Sequence, residues 1–246
     1  MAAVIEFEGL AYTHPGAAKA VIENLTLSID AGSFTAIVGG SGVGKSTLLR
    51  AAAGLLAPGA GTMHLNLPRV PGRRRRAMVF QDSRLLPWRT VSDNIAYGLE
   101  TLDIGTTEKA ARVAQALRLT GLEELQQRWP HQLSGGQAQR VGIARALAVE
   151  PEILLMDEPF GAVDALTRRQ LQTGLLQIWQ STRTAVLFVT HDIEEAVYLA
   201  DRVVVLGGQP ARVLENMPID LPRPRSREGV DFAACVERLS SWLGIS

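Results

Sequence analysis

Apolar and polar positions along the chain sort into two kinds of segment. Val21–Ile29 alternates towards its end, the pattern of a strand with one buried face, and Val4–Tyr12 reads the same way across the break at His14-Pro15-Gly16. Phe34–Val38, Ile153–Met156 and Thr184–Thr190 are apolar without alternation, as central parallel strands covered on both faces are. Thr62–Leu67, Ala77–Phe80 and Arg202–Leu206 are further strand-like runs. Helical spacing appears over 48–53, over Glu108–Leu119 with Ala111, Ala114, Leu117 and Leu119 on one side, and over Gly136–Val149 and Asp164–Thr182. It returns in Asp192–Ala200, with Asp192 or Thr190 as cap, and in Val230–Leu243. Asp82–Gly98 reads as turn-rich around Pro87-Trp88, and the prolines of Leu221–Arg225 hold that tail extended. Strands alternating with helices predict an α/β fold with a mainly parallel sheet, and the stretch from Asp82 to Pro130 predicts a small helical subdomain beside it.

Composition narrows the function classes. The 246 residues suffice for one large domain or one domain with a small appendage, and the formal net charge is zero, which removes a global electrostatic case for nucleic acid or an acidic membrane. Arg73-Arg74-Arg75-Arg76 invites a nucleic-acid reading, but no aromatic residues interleave, so a solvated loop or strand edge is the better expectation. The single cysteine, Cys235, excludes an internal disulfide framework and a cysteine-based zinc site. Residues 1–8 lack the basic start and apolar segment of a signal peptide. No run is long enough to cross a bilayer, so work at a membrane would need another chain to span it.

The chemistry concentrates where apolar runs end. Gly39-Gly40-Ser41-Gly42-Val43-Gly44-Lys45-Ser46-Thr47 lies between a strand and a helix, the setting in which this spacing cradles phosphates. Glycines let backbone N–H groups turn towards an anion, Lys45 supplies a point charge for the β- and γ-phosphates, and Ser46 offers an oxygen to Mg²⁺. Asp157 and Glu158 close a buried strand, where open α/β sheets place ligands; Asp157 suits the metal and Glu158 suits a water to be oriented or deprotonated. His191 ends another buried strand, a position from which it would reach the γ-phosphate or hold Glu158. Gln81 ends a third, within reach of Mg²⁺ or the attacking water by the same geometry. Tyr12 is a candidate to stack on a purine. Leu133-Ser134-Gly135-Gly136-Gln137 opens a long helix with two glycines and a hydroxyl, a second phosphate-ready start. Either the two cradles converge within one chain, or the second serves a nucleotide held by another copy.

These stretches, with Ala138–Leu147 following Gln137, occur in the order and approximate spacing of an ABC-transporter ATP-binding subunit, and the chain resembles that family from Val4 to about Pro210. The resemblance implies a phosphate-loop NTPase core with a mainly parallel sheet (roughly 1–81 and 150–215). It implies an N-terminal antiparallel β subdomain, a small helical subdomain at roughly 82–149, and a tail at 216–246, all within one domain. It implies an ATPase in which two copies sandwich two ATP molecules with Mg²⁺, each between Gly39–Thr47 of one copy and Ser134–Gln137 of the other. Gly161-Ala162-Val163-Asp164 would then meet the partner; family members often carry Leu where Val163 stands. The segment Gln81–Tyr97 resembles the part that receives a membrane-spanning permease, with Leu85, Leu86 and Trp88 as a receiving groove. That reading implies a peripheral subunit on the cytoplasmic face of the inner membrane, serving an extracytoplasmic solute-binding protein indirectly. Leu85–Val91 and Asp220–Arg225 are most similar to importers of nitrate, sulfonates and taurine, and the chain stops too soon for the C-terminal regulatory barrel of many sugar importers. A soluble ABC-type ATPase acting on nucleic acid or ribosomes is the alternative; neutral charge, one motif set, and no coiled-coil insertion between Lys45 and Ser134 weigh against it.

Overall fold

Continuous apolar runs become the innermost strands because both of their faces find cover. In the computed structural model, which describes residues 2–67 and 69–244, the first half of the chain contributes β1 (Ala3–Tyr12), β2 (Ile22–Asp30), β3 (Phe34–Gly39), α1 (Lys45–Ala52), β4 (Ala60–Leu65), β5 (Arg76–Val79), α2 (Val91–Tyr97) and α3 (Thr106–Thr120). The second half contributes α4 (Gly135–Ala148), β6 (Ile153–Asp157), α5 (Ala165–Thr182), β7 (Ala185–Val189), α6 (Ile193–Leu199), β8 (Arg202–Gly207), β9 (Arg212–Pro218) and α7 (Val230–Leu243). The first residue read for a signal peptide and the last two of the tail lie outside the described residues. The chain forms two units, one of Met1–Leu67 with Ala185–Ser246 and one of Pro68–Thr184.

In the first unit β1 pairs antiparallel with β2 and β4, giving the expected N-terminal antiparallel sheet. Beside it, β3 is buried at every position and runs parallel to both β7 and β8. Parallel pairing aligns the carboxyl ends of all three strands. β9 adds to β8 as an antiparallel edge strand. Sequence reasoning did not anticipate β9, in which exposed Arg212, Leu214, Asn216 and Pro218 alternate with half-buried Val213 and Glu215 and only Met217 is buried.

The second unit pairs β5 with β6 in parallel. Its helices α2, α3 and α4 close around Val91, Ile95, Leu99, Val113, Leu117, Val141 and Ala144, the small helical body expected from the pattern. The turn-rich reading of Asp82–Gly98 misses α2, a helix of only 7 residues. Thr90 caps it by accepting from the Asp93 N–H at 3.2 Å, while Val91, Asn94 and Ile95 turn inward. The arginine run lies on a loop and a strand start, as expected: Arg73 and Arg74 are exposed, with Arg73 paired to Glu150 at 2.8 Å and Arg74 donating to Thr101, and Arg76 opens β5.

The proline-rich tail has a structural task in the first unit. Arg225 is buried and donates to the carbonyls of Val197 and Ala200 at 2.6 Å, of Ile219 at 2.9 Å and of Leu221 at 3.2 Å. It thereby satisfies acceptors left open at the end of α6. Burial, with the Arg223 charge adding to it, pushes the Arg225 pKa down to about 10, yet the group keeps its proton at neutral pH. Arg223 binds the Leu199 carbonyl at 2.7 Å and Asp201, and Asp201 accepts from the Phe34 N–H at 2.9 Å, so the tail reaches the first residue of β3. Arg225→Met should lower the unfolding free energy by about 3 kcal/mol, since it strands several buried carbonyls. Arg225→Lys should recover little, because an ammonium cannot reproduce the planar fork. Urea unfolding of the three proteins measures both.

Candidate functional site

In the first unit the turn after β3 is shaped by backbone contacts. A Cβ added to Gly39 would lie 2.5 Å from the Leu206 carbonyl oxygen of β8. Gly42 and Gly44 have φ of 74° and 112°, which side chains resist. Gly44 caps α1, and a Cβ there would sit 3.0 Å from Val21. Lys45 is 5% exposed and folds back over the turn, donating to the carbonyls of Gly39 at 2.9 Å and Gly40 at 3.0 Å. A cation anchored this way is aimed before any anion arrives. Ser41 is exposed, Ser46 half-buried, and Val43 and Thr47 buried.

β7 brings His191 to the same edge. Val189 pairs with Ile37 of β3, and the Thr190 N–H donates to the Ile37 carbonyl at 3.1 Å. His191 follows, exposed. Of the two cap candidates Asp192 is the one that caps α6, through the Glu195 N–H at 3.0 Å, while Thr190 Oγ1 accepts from the Asp192 N–H at 3.0 Å and holds the turn before the helix. Tyr12 stands at the end of β1 opposite Ile22, and its ring meets His14 edge-on at 5.1 Å. Ile22 lies beside Gly44, so Tyr12 belongs to the surroundings of the α1 start.

The second unit gathers Gln81, Asp157 and Glu158. Val79 pairs with Met156, so Gln81, just past β5, and Asp157, the last residue of β6, come at the aligned ends of the two strands. A Cβ on Gly161 would come 3.1 Å from the Gln81 amide nitrogen and 3.4 Å from the Glu158 carbonyl, which brings Gln81 against the turn that carries Glu158. Glu158 holds φ of 45°, a left-handed conformation that costs a non-glycine residue about 1 kcal/mol and concentrates at functional sites.

The second glycine pair opens α4. Ser134 Oγ accepts from the Gln137 N–H at 3.3 Å, and Gln137 Oε1 accepts from the Ser134 N–H at 3.0 Å, a reciprocal capping box. Gly135 is exposed, and a Cβ on Gly136 would lie 2.4 Å from Thr167 Cγ2, so Gly136 serves the packing of α4 on α5. Asp164 caps α5 at 3.0 Å from the Thr167 N–H; that bond and the Thr167 hydroxyl hold its carboxyl below the usual carboxylate range. Three residues beyond the sequence reading position these parts. Arg168 holds the carbonyls of Phe160 and Val163 at 3.3 and 3.2 Å. Gln139, 3% exposed, donates to the Phe80 carbonyl at 3.1 Å. Asn94, fully buried, ties the loop before α2 through Leu86, Arg89 and Thr90. A polar residue on an otherwise apolar helix face was the available signal for Gln139 and Asn94.

Comparison with known proteins bears on what this arrangement is. A family model described as ABC transporter matches residues 22–161, more than half of the chain. The chain belongs to the ABC transporter family. It is 46% identical over 222 residues to the taurine import ATP-binding protein TauB of Pseudomonas syringae, a match covering 90% of this chain and 85% of that protein. It is 44% identical over 243 residues to the aliphatic sulfonates import ATP-binding protein SsuB of Bacillus subtilis, covering 98% and 94%. Among solved structures it resembles the ATP-binding cassette MJ0796, a dimer in a post-hydrolysis state bound to ADP and Pi, with a TM-score of 0.73, 29% identity, and coverage of 89% of this chain and 100% of that one. The chain is therefore an ABC ATPase built on a phosphate-loop core.

The two kinds of glycine in this ABC ATPase separate experimentally. Gly39→Ala should destabilise the protein by about 2 kcal/mol or more, because its Cβ meets backbone that cannot yield. Gly40→Ala, with nothing within 4 Å of the added carbon, should stay within about 0.5 kcal/mol of the parent. Denaturant unfolding of both variants measures the contrast.

Proposed function

We propose that this ABC ATPase powers the import of a small sulfonate-bearing solute through a membrane permease, working as a pair of copies at the cytoplasmic face. The observation that carries this reading is likeness to a sulfonate-import ATPase over 98% of the chain, signature turn and tail included. The names of the relatives favour the sulfonate end of the small-anion class. Among the described residues no helix is long and apolar enough to cross a membrane, which agrees with a separate permease. The alternative, action on nucleic acid or ribosomes, is disfavoured by the neutral net charge and by the names of the relatives, which are import ATP-binding proteins.

In this reading the chain works as one catalytic domain. Gly39–Thr47 wrap the phosphates with backbone N–H groups, Lys45 neutralises β- and γ-phosphate charge, and Tyr12 stacks on the adenine. Ser46, Asp157 and Gln81 carry oxygen donors of the kind Mg²⁺ takes and would hold it beside the triphosphate. When bound, Mg²⁺ supplies charge neutralisation across the β- and γ-phosphates. Glu158 orients the attacking water and accepts its proton, and His191 hydrogen-bonds the γ-phosphate. Ser134–Gln137 close over the nucleotide of the other copy, and Gly161–Asp164 meet that copy.

The permease docks beside Gln81–Tyr97. Trp88 is 69% and Tyr97 46% exposed, whereas Leu85 packs against the helical core and Leu86 is half-buried. Next to them a cavity of about 470 Å³ is lined by Met78, Phe80, Arg84, Tyr97 and Arg145. Aromatic anchors flanking a pocket are what a short partner helix needs.

Glu158→Gln should keep ATP binding and lower turnover at least about 100-fold. Size-exclusion chromatography should show an ATP-dependent dimer; near-normal turnover removes Glu158 from the role of base. Purifying the tagged chain from detergent-solubilised membranes should bring down a permease. In the reconstituted system, taurine or an alkanesulfonate with the binding protein should stimulate ATP hydrolysis. Recovery of nucleic acid in place of a membrane protein reverses the proposal.

A further inference from the structure

Within the second unit, α3, α4 and α5 line an open cleft of about 590 Å³ that the hydrolytic cycle does not use. Each helix contributes one arginine to its lining: Arg118 from the last turn of α3, Arg140 from α4 and Arg169 from α5. No Asp or Glu lines it. Other arginines of this unit are engaged: Arg112 with Glu108 and the Gly72 carbonyl, Arg145 with the Ser83 and Arg84 carbonyls, and Arg168 with Phe160 and Val163. The guanidinium groups of Arg118, Arg140 and Arg169 have no hydrogen-bond or ion-pair partner among the described residues. Arg118 complements the carboxyl end of its helix, but Arg169 stands in the second turn of α5, where a cation gains nothing from the helix dipole. Gly121 ends α3 with φ of 63°, and a carbon added there would come 4.0 Å from Arg140 Nη1. A side chain at 121 would begin to cover that guanidinium; glycine leaves it open. Ile143, Leu171, Leu175 and Ile178 supply apolar surface to the same cleft, and Thr173 and Gln177 supply neutral polar groups.

We propose that this cleft binds a small organic oxyanion, a phosphate or sulfonate head carried on a short apolar body. Three unpaired guanidinium forks match the flat, bidentate hydrogen-bonding edges of such a head, and the volume lies within the range of small-molecule sites. The aliphatic residues match the body. A ligand held by Arg140 and Arg169 ties α4, which starts at Ser134, to α5, which starts after Asp164, so its occupancy bears on the two segments expected to meet a partner copy.

The test is calorimetric titration of phenyl phosphate into the full chain and into the R118Q/R169Q variant; neither side chain is buried, and R169Q alone serves as a milder control. Comparing the proteins cancels any phosphate binding at Gly39–Thr47, so the outcome is independent of the ATPase reading. The parent should bind a site that the double variant weakens about tenfold or more, with inorganic phosphate binding it less tightly than phenyl phosphate. Equal affinity in parent and double variant, or no arginine-dependent binding up to about 10 mM, overturns the proposal. Inorganic phosphate binding as tightly as phenyl phosphate removes the apolar body from it. A hexaglutamate peptide that binds in an arginine-dependent way while phenyl phosphate does not gives the cleft to an acidic protein partner and also overturns it.

Discussion

Strand β3 brings Gly39 so close to the carbonyl of Leu206 that neither backbone has room for a side chain between them. That approach fixes the register of β3 against β8, and the parallel pairing with β7 then aligns Val189 with Ile37. From these two pairings follow the place of the glycine turn, the fold-back of Lys45 onto its own loop, and the delivery of Thr190 and His191 to the same edge. The remote tail serves the same strand: Arg223 holds Asp201, and Asp201 takes the N–H of Phe34, which opens β3. A phosphate cradle needs a backbone that does not give when a triphosphate pulls on it, and here the backbone is braced at both ends of the strand that carries it.

Elsewhere the chain braces its loops with side chains that clamp carbonyls. Asn94 holds the loop before α2, Arg145 holds Ser83 and Arg84, Arg168 holds the turn between β6 and α5, and Arg225 closes the end of α6. Each clamp offsets the desolvation of a buried polar group by satisfying acceptors that would otherwise be stranded. Burial lowers the pKa of Arg145 and Arg225, and both stay cationic because a guanidinium starts far above neutral pH. The net charge is zero because 25 basic residues are matched by 25 acidic ones, and in the arginine run Arg73 pairs with Glu150 while Arg74 donates to Thr101.

The parts of this fold that were legible in the sequence are those whose signal is local. Continuous apolar runs gave β3, β6 and β7, and glycine spacing marked the turn at Gly39–Thr47 as well as the start of α4. What was not legible depends on partners distant in the chain. α2 is too short for a helical period and rests on Thr90 and Asn94, whose roles appear only once Leu86 and Arg89 fold over them. β9 exists because β8 offers it an edge. The proline-rich tail looks like a linker in sequence, and only the burial of Arg225 reveals it as a clamp. Gly136 is a case of two reasons behind one residue: the sequence suggests an anion, and the structure adds close packing against Thr167.

The capping box at Ser134 bears on the order of events in the proposed cycle. Ser134 Oγ and Gln137 Oε1 are each engaged with the other residue's N–H, so the turn is already formed in a single chain. For the Ser134 hydroxyl to meet a phosphate as an acceptor of its own proton, nothing need break, because a hydroxyl can accept from the Gln137 N–H and donate at once. For the Gln137 side chain to leave its bond, about 1 kcal/mol of capping is given up. Contact through Ser134 and the exposed Gly135 therefore costs less than contact through Gln137. A nucleotide already held on the braced cradle of one copy would accordingly meet a preformed turn on the other, with the glutamine yielding last. Closure then requires little reordering of the turn itself, and the free energy of bringing two copies together goes into the interface around the nucleotide.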